Sequence, residues 1–534
     1  MELLKNATKN KLRGGFYTPA PIADFILKWA FNRNKNFDIL EPSCGDGVFL
    51  KQLKNSSYKY NSILAVELDP YEAQKASQHK LKACKIENNE FHKFCNNSDK
   101  KFDLVIGNPP FIRYQYFNRE QQNQANIIFN RAQLKYSKLT NSWVSFIVGS
   151  SLMLKETGKI GFVVPAEILQ VSFAKTLRQF LSHFYNKISI VSFEKLVFSD
   201  IQQEVVLLLC EKDRTNRHLI EHIEIENAEG LKTLDITKLK APKKKIDFNS
   251  NKWTFYFLEQ KEIDFIEQIK ADKRLKKIGD LAEVEVGITT GSNPFFTVPQ
   301  STVQFFQLEE FTKPMVGRSV QVSSAIFTES DWKRNQNLEA RSNLLVFPKM
   351  SELNGHLGAR NYIANGVTQG INEGYKCRIR DEWQIVPSLW VSDALFVRRN
   401  NLYPKFLINE VGAYTTDTMH RVKINKGINN NAFVASYYNS LSLAFTEICG
   451  RSHGGGVLEL MPNEVESVII PFNEKHAELL IEIDNRLRKK ESIQKILEYT
   501  NKFILKDTFG FSNEDIAIAD SIWRKLSSRR LNRG

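Results

Sequence analysis

Short apolar runs alternate with amphipathic stretches through the first half of the chain, and this alternation limits the fold more than any other feature. Ile39-Leu40 leads into a turn. Ile63-Leu64-Ala65-Val66, Phe102-Asp103-Leu104-Val105-Ile106, Ile160-Gly161-Phe162-Val163-Val164 and Val205-Val206-Leu207-Leu208-Leu209 read as buried strands. Between them Ile22–Trp29, Tyr71–Ala83 and Ala174–Phe184 carry helical spacing. Strands that are apolar on both faces need helices on both sides, so an α/β, Rossmann-like domain with a largely parallel sheet is predicted. The texture changes near residue 245, where Lys240-Ala241-Pro242-Lys243-Lys244-Lys245 joins a helix breaker to a charge run. A chain of 534 residues needs more than one core. The expected segments are 1–245, a mixed α+β segment over 246–473, and a helical tail over 474–534. In the tail Leu479, Leu480, Ile483 and Leu487 recur at helical spacing.

Ile39 to Leu50 reads as strand, glycine turn and helix, with Gly45 and Gly47 allowing the backbone to turn tightly beside a ligand. Glu67 ends the following strand, about 20 positions on, where a carboxylate can accept both hydroxyls of a ribose. Glu41 would repel a pyrophosphate. It suits a ligand with a cationic end, such as an amino acid or a sulfonium.

Asn108-Pro109-Pro110-Phe111 follows directly on the strand run ending at Ile106. Two prolines lack N–H donors and have restricted φ, so they hold a rigid, extended loop. The Pro109 carbonyl and the Asn108 side-chain oxygen are then acceptors for the two hydrogens of one planar amino group. An aryl amine is a poor nucleophile because its lone pair is delocalised into the ring. Binding both N–H groups pulls the nitrogen toward a tetrahedral state, and Phe111 offers an aromatic face to the ring.

These residues resemble the S-adenosylmethionine-dependent DNA adenine-N6 methyltransferases of bacterial restriction–modification systems. The motif order is that of the gamma arrangement, with the cofactor motif first, then the catalytic motif, then a target-recognition domain. The resemblance implies a methyltransferase domain over 1–245 and a DNA target-recognition domain over 246–473. It makes Asn108, Pro109, Pro110 and Phe111 catalytic, Asn108 also touching the cofactor. Gly14-Gly15-Phe16-Tyr17-Thr18-Pro19 looks like the family's N-terminal cofactor motif, placing Tyr17 and Thr18 by the methionine part. Glu41, with Ser43 and Gly45 in the turn, falls where the family binds the methionine amino group, and Glu67, followed by Leu68, where it binds the ribose. Glu90-Phe91 stands where the family usually has Asp-Phe against the cofactor's adenine, a departure at the first residue. Val197-Phe198 resembles the motif whose ring helps clamp a flipped base, so Phe111 and Phe198 would stack on the extruded adenine. S-adenosyl-L-methionine is the implied cofactor, without a metal. The implied partners are double-stranded DNA and a separate restriction endonuclease.

The remaining features fit that frame. A formal charge of +14, from 74 Lys+Arg against 60 Asp+Glu, permits a polyanionic partner. The loops Gly287–Asn293, Lys313–Arg318 and Arg451–Gly456 combine Gly, Arg and Asn, and Arg318, Arg451 and His453 are candidate DNA contacts. Gly450-Arg451-Ser452-His453-Gly454 formally matches a hydrolase nucleophile elbow. Its would-be oxyanion motif overlaps it, whereas a hydrolase needs the two on separate elements. Six scattered cysteines, no apolar leader and no apolar membrane span fit a cytoplasmic protein associated with the nucleoid through DNA. The same catalytic motif serves RNA and protein-glutamine N-methyltransferases, which usually carry Tyr in the fourth place and lack a long C-terminal region. A binding-only specificity subunit would have lost Asn108 or Glu67. A nuclease fused ahead of Gly14 is not expected.

Overall fold

The computed structural model describes residues 17–31, 36–195, 197, 204–215, 217–232, 234, 243–246 and 252–532. The chain divides into two compact units, Met1–Gln260 and Lys261–Asn532. The proline of the sequence-defined linker, Pro242, lies outside the described residues.

Among the described residues of the first unit, nine strands make one sheet: β1 (Phe37–Glu41), β2 (Tyr60–Glu67), β3 (Cys84–Asn88), β4 (Phe102–Gly107), β5 (Leu154–Pro165), β6 (Lys187–Phe193), β7 (Val205–Glu211), β8 (Leu219–Ile225) and β9 (Lys244–Lys245). Their order is β3-β2-β1-β4-β5-β7-β6-β8-β9. The first five run parallel, and β7 is inserted antiparallel between β5 and β6. From β1 the chain moves outward to β2 and β3, then returns to the other side of β1 as β4. Loops leaving such a switch point diverge, and a crevice opens above the carboxyl ends of the strands.

Helices α1 (Ala20–Ala30), α2 (Val48–Lys54), α3 (Pro70–Ser77), α4 (Phe91–Asn96), α5 (Arg119–Arg131), α6 (Ser142–Leu152) and α7 (Lys175–Phe184) cover this sheet. On α1, Ile22, Phe25, Ile26 and Trp29 are buried against the core that also holds Ile39, Leu104 and Val163. Gly161 of β5 makes this approach possible, because a Cβ there would come 2.7 Å from Ile26 Cγ2 and 3.2 Å from Trp29 Cζ3. The strand runs and the α1 and α7 stretches appear where the periodicity places them, with ends shifted by a few residues. Four elements differ. The stretch 71–83 is helical only over Pro70–Ser77, capped by Asp69 and followed by left-handed backbone at Lys80 and Ala83. Helix α6 has no polar face, since Ser142 through Ser151 are all buried, and a helix buried all round leaves no periodic signal. Strands β6 and β8 mix polar residues into short runs and escape a pattern search.

The second unit is mixed α+β, with its strands in short sheets. The largest orders Ala282–Val286, Met419–Ile424, Ala394–Val397, Phe406–Asn409 and Ile326–Phe327. Leu479–Arg488, Ile493–Asn501 and Asn513–Leu531 are helices of this same unit. The last packs on Ser440–Cys449 and buries Arg530, whose Nη2 donates to Glu447 Oε1 at 2.7 Å. Arg530 Nη1 also reaches the carbonyls of Asn401 and Gly456.

Replacing Gly161 by Val should push α1 off the sheet and cost about 1–3 kcal/mol, the usual penalty for overpacking. A lowered denaturation midpoint checks this; an unchanged midpoint would show that α1 does not depend on that contact.

Candidate active site

A cavity of about 580 Å³ lies where the ends of β1, β2 and β4 meet the start of α6, and residues of the first unit alone line it. Glu41 is the last residue of β1 and is only 2% exposed. Among the described residues its Oε2 has no hydrogen-bond partner. Burial, then the nearby Glu67 and Asp46 carboxylates, push the Glu41 carboxyl well above the usual range. Beyond it the chain turns through Gly45, held at φ +54° with open space where a Cβ would stand. The Gly45 N–H donates to Glu67 Oε2 at 2.8 Å, and the Asp69 N–H donates to Glu67 Oε1 at 2.9 Å. Glu67 is thus fixed at the end of β2, its carboxyl still raised because burial outweighs those two bonds. One wall therefore carries closely spaced carboxylates that favour a cationic ligand.

Thr18 (buried), Tyr17 (exposed), Ser43 and Leu68 line the same space. At the far end Phe91 is buried and stacks on Phe146 with centroids 4.7 Å apart. The neighbouring Glu90 caps α4, accepting the Lys93 N–H at 2.9 Å, and its other oxygen contacts His92 Nδ1. Burial acts to raise the Glu90 carboxyl, but the bonds from His92 and Lys93 prevail and hold it below the usual range.

Asn108 and Pro110 enter the cavity from the end of β4. Ser43 Oγ donates to the Asn108 carbonyl at 3.2 Å, and Ser142 Oγ donates to the Pro110 carbonyl at 2.5 Å. The Ile112 N–H donates to Ser142 Oγ at 3.1 Å, and the Tyr114 N–H donates to Asn141 Oδ1 at 3.0 Å. Serines on both sides thus hold the loop. Among the described residues no hydrogen bond reaches the carbonyl of the buried Pro109. Neither Pro109 nor Phe111 lines the cavity; Phe111 is half-buried and packs on the core, as Val197 does. Phe198 and Gly14-Gly15-Phe16 lie outside the described residues.

The structure thus brings together Tyr17, Thr18, Glu41, Ser43, Gly45, Glu67, Leu68, Glu90, Phe91, Asn108 and Pro110. It adds His92, Ser142 and Phe146, which sequence reasoning missed. Asn141-Ser142 ahead of an apolar run is a recognisable helix start. Its side chains, however, serve the 108–114 loop, and that is not legible in one dimension. Arg318, Arg451 and His453 belong to the second unit. Arg451 donates to Glu464 at 2.9 Å and His453 contacts Glu459 at 2.9 Å, whereas the exposed Arg318 forms no ion pair among the described residues. Ser452 lies in a strand paired with Leu458, not on an elbow. Among the described residues no group of three His, Cys, Asp or Glu is placed to hold a metal, and no helix is long and apolar enough to cross a membrane.

Residues 29–198 match the Eco57I restriction-modification methylase family. Residues 250–505 match the C-terminal domain of the type II methyltransferase M.Eco57I. The first unit thus carries the methylase domain of the Eco57I family, and the second the C-terminal domain that accompanies it in M.Eco57I. It is 24% identical over 478 residues to type II methyltransferase M.AccI of Acinetobacter calcoaceticus, covering 84% of each chain. To M.HincII of Haemophilus influenzae it is 30% identical over 230 residues, covering 42% of each. Among solved structures it resembles DrdV in its DNA complex, with TM-score 0.51 and 13% identity over 90% of this chain and 57% of that one. A nuclease-deletion mutant of the type ISP restriction–modification enzyme LlaGI, in complex with a DNA substrate mimic, matches with TM-score 0.50 and 13% identity. That match covers 91% of this chain and 55% of LlaGI. The first unit thus has a Rossmann-like α/β fold, followed in the chain by a C-terminal α+β unit.

Because Glu41 holds its proton more tightly when folded than when unfolded, its burial costs stability as pH rises from 4.5 through the folded value. A ligand presenting an ammonium to Glu41 favours the ionised carboxylate, so binding should expel a proton, and affinity should rise with pH through the same window. Calorimetry of S-adenosylmethionine binding in buffers of different ionisation heat reads the proton directly. Glu41→Gln should abolish the release and weaken binding. No release from the wild-type protein at any acid or neutral pH would show that Glu41 does not meet the cation.

Proposed function

We propose that this methylase moves the methyl group of S-adenosylmethionine to the N6 amino group of an adenine in double-stranded DNA, at sites chosen by its second unit. The observation that carries the reading is the placement, in one cavity, of the Asn108–Pro110 loop beside the buried carboxylates Glu41 and Glu67. The residues present fit the cofactor. Glu41 offers a buried acceptor without a partner among the described residues, suited to the methionine ammonium, and Glu67 is anchored where it can accept ribose hydroxyls. Tyr17 and Thr18 would flank the methionine part, with Ser43, Gly45 and Leu68 around it and Glu90 and Phe91 at the adenine end. When bound, S-adenosylmethionine supplies an electrophilic methyl on a sulfonium.

The chain's own groups prepare the acceptor nitrogen. The Asn108 side-chain oxygen and the Pro109 carbonyl take its two N–H groups, so that its lone pair is drawn out of the ring and aimed across the cavity. The nitrogen becomes acidic once it is alkylated, so its proton can leave to solvent without a dedicated base. In duplex DNA the N6 group is paired and out of reach, so the adenine must leave the stack. Phe111 of the acceptor loop and Phe198 of the separate Val197-Phe198 motif would recover part of the unstacking cost, about 1–3 kcal/mol for a stacked base. DrdV and LlaGI, which share the fold, were solved with DNA or a DNA mimic, and the charge of +14 suits such a partner. As a restriction–modification methylase it would act on chromosomal DNA in the cytoplasm and protect it from a separate endonuclease.

Tritiated S-adenosylmethionine and unmethylated DNA, followed by modification-sensitive sequencing, test the reading. N6-methyladenine in one sequence context is expected; N4-methylcytosine, or label in RNA or protein, would overturn it. Asn108→Ala should bind S-adenosylmethionine normally and lose transfer by on the order of a hundredfold or more, as when a preorganised polar contact to a reacting centre is removed. DNA affinity should fall linearly on a logarithmic salt scale; a flat response would remove the basic surface from the account.

A further inference from the structure

His92 is fully buried in the cavity wall, where it touches Glu90 but makes no hydrogen bond to the acceptor loop among the described residues. Its hydrogen bonds have a forced direction. Ser145 Oγ has a single proton and donates it to the Ser142 carbonyl at 2.8 Å. The 2.7 Å contact between Ser145 Oγ and His92 Nε2 must therefore carry a proton from the imidazole. With Nε2 protonated, a neutral ring would present only a lone pair at Nδ1, where Glu90 Oε1 lies. That contact needs a further proton, so Glu90 and His92 form an imidazolium–carboxylate pair or share the proton between them. The rings of Phe91, Phe117 and Phe146 surround the imidazole at 5.8, 5.6 and 4.9 Å.

From Ser145 the chain of bonds runs on to the loop. Ser142 gives its backbone carbonyl to Ser145 and its hydroxyl to the Pro110 carbonyl. Ser142 also receives the Ile112 N–H on its hydroxyl and donates its own N–H to the Ile112 carbonyl at 3.0 Å. One residue at the head of α6 therefore fixes the loop's backbone after Pro109. With the Asn108 carbonyl turned to Ser43 and the Pro110 carbonyl to Ser142, the Pro109 carbonyl between them is the one of the three that accepts no hydrogen bond among the described residues.

We propose that His92 is a positioning residue that ties the Glu90 end of the cavity, through Ser145 and Ser142, to the orientation of the Pro109 carbonyl. Occupancy at Glu90 and readiness of the acceptor loop are then coupled. The inference rests on the methyl-transfer reading of the 108–110 loop.

Paired substitutions separate the two contacts of the ring. His92→Asn keeps a donor near the Nδ1 position toward Glu90 and loses Ser145; His92→Gln does the reverse. Single-turnover methyl transfer and S-adenosylhomocysteine affinity are measured for both. His92→Asn should bind within about threefold of wild type and transfer at least about tenfold more slowly, since small misplacements of reacting groups carry penalties of that size or more. His92→Gln should lose affinity and retain most of the rate. Ser145→Ala should behave like His92→Asn, and Ser145→Thr should restore the rate. Amide hydrogen exchange of the 108–116 segment supplies a readout independent of activity. Exchange at Ile112 should rise about tenfold in His92→Asn and Ser145→Ala and stay low in His92→Gln and Ser145→Thr. A wild-type protein that transfers no methyl to DNA yet shows this exchange pattern would refute the DNA reading and leave the tether in place. Parallel losses of stability, affinity and rate in both His92 variants, or a wild-type rate and exchange in Ser145→Ala, would overturn the proposal.

Discussion

A carboxylate with no hydrogen-bonded neighbour at one oxygen among the described residues, buried where the strand order of the sheet reverses, is the constraint around which the first unit is organised. Glu41 is almost wholly buried there, and Glu67 and Asp46 add repulsion. Such a group is a liability in an empty protein, because one buried charge without a partner costs several kcal/mol. It is tolerable where the chain holds it neutral until a cation arrives, and the raised carboxyl has that property. The open turn at Gly45, the tethering of Glu67 by two backbone amides and the loop after β4 are arranged about this point.

Much of this was legible in the sequence because it depends on local grammar. A strand followed by a glycine turn, an acid at the end of the next strand, and two prolines after a third strand are each properties of neighbouring residues. Since β1, β2 and β4 are adjacent in the sheet, reading their ends also locates the cavity. What stayed hidden depends on residues brought together across the chain. Helix α6 is buried on every side, so no period betrays it, and the side chains of its cap residue Asn141 and first residue Ser142 serve the 108–114 loop. His92 reads as one histidine in a short helix until Ser145, 53 positions away, is seen to accept from it.

The second unit shows the opposite balance. Glycine and arginine clusters marked loops, but composition does not say which cations are already committed. Arg451 and His453 hold Glu464 and Glu459, and the Glu459 carboxyl, drawn down by His453, Arg399 and Arg398, lies at about 2. Cations bound so tightly within the unit have less to offer a phosphate. Arg318 differs from them, being exposed without an ion pair among the described residues.

The Arg530 anchor also has a practical meaning for where this unit can be cut. The stretch matched by the C-terminal family model stops at residue 505, but the helix Asn513–Leu531 lies inside the same packed body. A protein trimmed to the family boundary would lose the guanidinium and leave Glu447 buried with no counter-charge, along with the Asn401 and Gly456 carbonyls it serves. Residues 506–531 are therefore better regarded as the closing wedge of the second unit than as an appendage, and the shortest self-sufficient version of that unit has to include them.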